Sequence, residues 1–280
     1  MSNGIRQSRF PLIATILTMV FLYLPLLMVA VSSFNSSKFG GRWKSFSFVW
    51  YEELWRENRI LEALCNTLLV AFFATVISTI LGTMCAMALY RTKSRWKGAG
   101  HTLVQTSIVV PDILNGIGLL LLFVILFGFF GPMIRLLTGL EIGLGMTTIV
   151  IAHVTFCVSY VTMVVLGRLQ QFDHSLVEAA KDLGAGSCYT FFHVTLPVIF
   201  PGILAGALFA FTLSIDDFVI TFFVKGAGDT TLPVYIEGAM KRGRKLPVLN
   251  ALSVLFLLFT FFLVFFTRKI LTPKQESQNK

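Results

Sequence analysis

Charge is what this sequence has least of. Of 280 residues only 13% are Asp, Glu, Lys or Arg, whereas 55% are hydrophobic and the mean hydropathy is +0.79. A water-soluble domain of this length cannot hide so much apolar surface, so a soluble class is excluded. Cysteine pairs are also missing. Cys65, Cys85, Cys157 and Cys188 form no CxxC and read as free thiols, with neither disulfide nor metal site expected. There is no G-x-x-x-x-G-K-[ST] phosphate loop, so nucleotide chemistry belongs elsewhere. Without a nucleophile elbow or a metal-spaced His cluster, a membrane enzyme has nothing to work with, and no catalytic residue is assigned.

Long apolar runs are what remains. A helix needs roughly 20 apolar residues to span a bilayer. Runs of that order cover Phe10–Ser33, Ala63–Tyr90, Thr102–Phe130, Gly145–Gly167, Pro197–Val224 and Val248–Thr267. They are continuous rather than alternating, which excludes a barrel and predicts an all-α polytopic membrane protein with six spans. The first run is too long for a signal-peptide core and is expected to remain as an uncleaved helix. The third would measure about 43 Å as one helix at 1.5 Å per residue, so it must tilt, protrude or bend, and Pro111 is the place to bend. The net charge of +9 does not point to nucleic acid, because the bases flank the spans as membrane anchors do. "RTKSRWK", Arg91–Lys97, is a short loop with bases and no acid, which favours cytoplasmic termini. The expected organisation is a cytoplasmic N-terminus over 1–9, a membrane domain over 10–267 and a cytoplasmic tail over 268–280.

Three carboxylates fall at membrane depth. Asp216 and Asp217 are the only charged residues between Val194 and Val224, and Asp112 follows Pro111. Gly202, Gly206, Ala210 and Ser214 recur every four residues, a seam that lets another helix approach. Asp217 and Thr221 continue that seam, which places Asp217 toward a pore or a second subunit, with Asp216 to one side. The bland alternative is that both acids brace neighbouring helices. For Asp112 that alternative is a hydrogen bond to backbone freed by Pro111, and for His153 a satisfied interhelical bond. Trp43, Trp50, Tyr51 and Trp55, in the first long loop, read as an interfacial belt or as a contact for an external partner.

Residues 168–196 are too polar for a span and too patterned for a plain loop. Leu176, Val177, Ala180 and Leu183 fall at helical spacing while Glu178, Lys181 and Asp182 face elsewhere, and Gly184 ends the helix. The stretch "EAAKDLGAGSCYTFFHVTLP" then carries Glu178, Ala179, Ala180, Gly184, Leu196 and Pro197 in the register of a signature: E-A-A, three residues, G, nine residues, I-x-L-P, with Val194 for Ile. By this stretch the chain resembles the inner-membrane permeases of binding-protein-dependent ABC importers. "SFNSSKFG", "PDI", "AHVTFC" and "FTLSIDDFVI" extend the resemblance to spermidine/putrescine permeases of the PotC type.

The resemblance implies a MetI-like permease fold in the bacterial inner membrane. It also implies a PotB-like second permease, a PotA-like ATPase dimer that binds ATP and Mg, and a periplasmic PotD-like binding protein. No cofactor of the chain's own is expected. Glu178, Ala179, Ala180, Asp182, Gly184, Leu196 and Pro197 would couple to the ATPase. For a polycationic substrate, Asp112, Asp216 and Asp217 would supply acids, and Phe211, Phe218 and Phe222 aromatic faces. The basic "KRGRK", Lys241–Lys245, departs from the family expectation. Two alternatives stay open from the sequence: another cationic solute in the same architecture, or a self-contained secondary transporter or channel using Asp216 and Asp217.

Overall fold

The computed structural model describes residues 10–38, 42–92, 95, 97–139, 141–242 and 246–271. The expected cytoplasmic N-terminus, most of the C-terminal tail and residues 243–245 of the basic loop lie outside them. Helices account for almost all of this, and no strand occurs among the described residues beyond one isolated bridge between Asn35 and Phe46. In chain order they are α1 (Phe10–Ser33), α2 (Val49–Arg56), α3 (Asn58–Arg91), α4 (Lys97–Val109), α5 (Asp112–Thr138) and α6 (Met146–Gln170). There follow α7 (Ser175–Asp182), α8 (Ser187–Thr190), a π-helical turn (Phe191–Thr195), α9 (Leu196–Asp216), α10 (Val219–Val224), α11 (Leu232–Lys241) and α12 (Leu246–Leu271). Five segments are long and apolar enough to cross a bilayer: Phe10–Ser33, Asn58–Arg91, Asp112–Leu137, Met146–Gln170 and Ser187–Asp216. A sixth apolar stretch runs over Leu246–Phe262. Leucine, isoleucine and phenylalanine cover these helices while remaining exposed, a surface suited to lipid and not to water.

Two of the expected spans are built differently. The third is not one bent helix but two, α4 and α5, broken at Pro111. Proline lacks the N–H and disfavours helical geometry in the residue before it, so the chain restarts at Asp112. The fifth begins earlier and ends sooner than the sequence pattern indicates. It starts at Ser187, and the π-helical turn precedes Pro197: the Leu196 N–H reaches the Phe191 carbonyl, a longer step than the α-helical one. It ends at Asp216, because Asp217 is extended (φ −64°, ψ 123°) and α10 is a separate short helix.

The chain divides into two compact units. One comprises Met1–Asn58 and Gly238–Arg268, the other Arg59–Glu237 and Lys269–Lys280. In the first, the segment after α1 folds on its own aromatic cluster. Phe34 stacks on Phe46 and Tyr51 with centroids 5.2 and 5.3 Å apart. Trp50 is buried and donates its indole N–H to the Asn35 carbonyl at 2.7 Å, and the Tyr51 hydroxyl pairs with Ser33 at 2.8 Å. These two are therefore structural, whereas Trp43 and Trp55 are exposed, as a belt or contact residue must be.

In the second unit α6 is the central helix, buried along its length among α4, α5, α9 and α10. The seam of α9 faces this helix. A Cβ on Gly202 would lie 2.7 Å from Arg168, and one on Gly206 would lie 3.3 Å from Val161. Cys157 donates to the Ala210 carbonyl at 3.6 Å, and Ser214 meets His153. The small residues thus serve close packing inside this chain, which corrects the placement of the seam toward a pore or second subunit.

Candidate functional site

The loop after α6 builds a compact helical element. Asp173 accepts the backbone N–H of Ser175 at 2.9 Å and starts α7. That bond holds its carboxyl below the usual carboxylate range, so the bond is present at neutral pH and is lost as pH falls through the lowered value. Helix α7 stops at a Schellman motif. Gly184, at φ +83°, donates to the Lys181 carbonyl at 2.8 Å, and Ala185 donates to Ala180 at 3.0 Å. Only glycine takes that left-handed geometry without penalty.

The apolar positions of α7 divide between two sides. Val177 packs on the core, and Ala180 is half-buried. Leu183 is 89% exposed, Leu176 is 45% exposed, and Ala179 and Asp182 are also exposed. Behind the helix lies a cavity of about 360 Å³ lined by Tyr90, Arg91, His174, Glu178 and Lys181 among others. The Tyr90 hydroxyl and His174 Nε2 are 2.8 Å apart and their rings stack, tying the end of α3 to the start of α7. Glu178 shares this lining with Arg91, His174 and Lys181. Leu196 begins α9 instead of closing the loop, and Pro197 follows it in that helix's first turn.

The membrane-depth acids come together around a second cavity. It measures about 300 Å³ and is lined by Asp112, Phe156, Tyr160, Leu213, Asp216, Asp217, Phe218, Val219 and Ile220. Asp112 arrives as the first residue of α5, Asp216 as the last of α9, and Phe218 from the break. Phe211 and Phe222 stand outside this lining, although Phe222 touches Phe218 at 5.5 Å between centroids.

The two adjacent aspartates differ sharply. Asp217 accepts the backbone N–H groups of Ile220 at 3.2 Å and Thr221 at 2.9 Å, and the Thr221 hydroxyl at 2.9 Å. His153 Nε2 stands 3.3 Å away. It thus satisfies the backbone that the helix break leaves open, an obligation that is severe in a bilayer. Asp216 is exposed, and among the described residues neither it nor Asp112 joins an ion pair.

His153 makes the interhelical bonds expected of it, and Tyr160 and Phe156 are functional candidates that the sequence reading overlooked. One signal could have found them, since 153, 156 and 160 lie on one face of α6 at helical spacing. The linings of both cavities are drawn from segments far apart in sequence.

Residues 78–276 match the family described as binding-protein-dependent transport system inner membrane component. The chain belongs to this family. It is a permease component of a transport system and not an enzyme, which sets aside the self-contained carrier. The permease is 42% identical over 254 residues to the putrescine transport system permease protein PotI of Escherichia coli K12, covering 90% of this chain and 86% of that one. It is 35% identical over 250 residues to the spermidine/putrescine permease protein PotC of Haemophilus influenzae, covering 89% and 91%. Among solved structures, a bacterial alginate ABC importer matches at TM-score 0.69 and 17% identity, over 97% of the permease and 100% of that chain. The MetNI methionine transporter matches at TM-score 0.55 and 19% identity, over 79% and 96%. These last two likenesses establish the MetI-like permease fold.

Proposed function

We propose that this permease forms half of the path by which an ATP-driven importer carries polyamines, putrescine or spermidine, into the cytoplasm. The observation that carries the reading is the cavity where Asp112 and Asp216, which join no ion pair among the described residues, stand beside Phe156, Tyr160 and Phe218. A polyamine is a flexible polycation with methylene spacers. Acids complement its ammonium groups, and aromatic faces attract the same cations at about 0.5–2 kcal/mol each. Binding along such a path must stay weak enough for release. The names of the relatives, putrescine and spermidine/putrescine permeases, support the same cargo.

The coupling element supports a cytoplasmic ATPase partner. Leu176, Ala179 and Leu183 present an apolar face outward from a short helix, a shape that fits a groove in another protein. The partners in this reading are a second, PotB-like permease, a PotA-like ATPase dimer and a PotD-like periplasmic binding protein. The ATPase would sit on the α7 side, which places both termini in the cytoplasm. The test is uptake of labelled putrescine and spermidine by proteoliposomes holding the four components. Binding-protein-stimulated ATP hydrolysis with polyamine uptake is expected. Hydrolysis and transport with a different cationic solute, and none with polyamines, would transfer the site to that solute.

A further inference from the structure

His153 is fully buried in the N-terminal third of α6 and has no place in the path just described. Its Nδ1 lies 2.7 Å from Ser214 Oγ, in the last turns of α9. Its Nε2 lies 2.8 Å from Thr221 Oγ1 on α10 and 3.3 Å from Asp217 Oδ2 in the break between them. One imidazole thus holds both halves of the interrupted helix and the residue that joins them.

Proton accounting fixes the direction of these bonds. Thr221 has a single O–H, and it is donated to Asp217 Oδ2. Thr221 Oγ1 must therefore accept from His153, so Nε2 carries a proton that faces Thr221 and Asp217. Asp217 then has donors from Ile220, Thr221 and His153 turned toward it, and it is drawn to the α6 side. Its neighbour Asp216, one residue earlier and at the end of α9, is left exposed in the acidic cavity.

We infer that His153 is a positioning residue for transport: by tying Ser214, Asp217 and Thr221 to α6 it fixes the α9–α10 break and thereby presents Asp216 to the substrate cavity. This rests on the reading of that cavity as the cation path. The contact that matters is the Nε2–H donor on the break side. The Nδ1 contact to Ser214 only anchors the end of α9, which close packing against α6 already holds.

The two amide replacements separate these contacts. Glutamine can place an N–H near the position of Nε2, whereas asparagine reaches only that of Nδ1. The experiment uses the complete reconstituted complex at matched abundance. It compares His153→Gln, His153→Asn and His153→Leu, each with and without Asp216→Asn, for uptake of labelled putrescine and spermidine. Phe218→Cys, a thiol at the cavity, is labelled in parallel and read by mass spectrometry, which requires no transport.

His153→Leu and His153→Asn should each lower uptake by about tenfold or more, and His153→Gln should stay within about threefold of the parent. In the Asp216→Asn background the further loss on His153→Leu should be under about twofold, because both changes act on one contact. Labelling of the cysteine at 218 should rise when the break is freed. Parental uptake by His153→Leu overturns the inference. So do equal losses in both backgrounds, or asparagine and glutamine behaving alike, since each is the mark of a general packing role. If Asp216→Asn by itself transports normally, the cavity reading fails separately. The latch is then decided by the labelling at 218, and unchanged labelling in His153→Leu overturns it.

Discussion

An ionised Asp at the centre of a membrane helix costs about 2.5–3.5 kcal/mol on insertion scales, and Asp216 and Asp217 offset that cost differently. Asp217 is surrounded by donors and closes the backbone of α10. Asp216 opens onto a cavity with Asp112 and the aromatic rings of Tyr160 and Phe218. Helical periodicity puts Asp217 on the small-residue seam and so on the cation path. That seam faces α6, where Ser214, Asp217 and Thr221 all meet His153, and the donors around Asp217 set its role. Asp216→Asn should leave membrane abundance and melting of the purified complex unchanged while lowering polyamine uptake about tenfold to a hundredfold, the worth of one charge-assisted contact in the limiting step. Asp217→Asn should act on the fold first. Its amide replaces an acceptor oxygen with a donor facing N–H groups, costing about 1.5–3 kcal/mol and lowering abundance and melting temperature along with uptake. A stable, fully abundant Asp217→Asn chain that fails only in transport would restore Asp217 to the path.

The coupling helix illustrates what an eight-residue element can do on two sides at once. Val177 holds α7 to the core while Leu183 stands almost wholly exposed. The sequence pattern groups Leu176, Val177, Ala180 and Leu183 as one face. The structure separates them, because a helix lying between its own protein and another surface needs apolar groups toward both. Leu183→Asp should therefore leave the stability of the chain intact and reduce co-purification of the ATPase and ATP-driven uptake. Val177→Asp should destabilise the chain itself, since it places a carboxylate against the core. Gly184→Ala forces a side chain into left-handed geometry at a cost of about 1–2 kcal/mol. It should weaken the Schellman turn and lower ATPase capture more than membrane insertion. Normal ATPase capture by Leu183→Asp would remove α7 as the docking face.

At the scale of the whole molecule, the proposed function requires α7 to face the cytoplasm. With α7 in the cytoplasm, the exposed native thiol of Cys188 should react with an impermeant reagent only after the inner face is opened. A cysteine at Ala227, exposed in the turn after α10, should react from outside in intact cells. The reverse pattern would overturn the orientation and with it the placement of the ATPase. Within the larger compact unit, the path has to open and close by movement of packed helices. The breaks at Pro111 and Asp217 are places where backbone is already freed from regular helix.

The membrane class, six apolar segments, the family signature and the turn at Gly184 are legible in the residues alone, because each depends on composition or on neighbours within a few residues. The sequence also brings Asp112 and Asp216 forward, since a charge in an apolar run is visible without coordinates. Where the helices break, which side of α9 the small residues serve, and which acid joins no ion pair among the described residues emerge only once the helices pack. Those depend on whether the backbone N–H groups beyond Asp216 find a partner. That partner is the carboxylate of Asp217, itself held by His153 from a helix some sixty residues earlier in the chain.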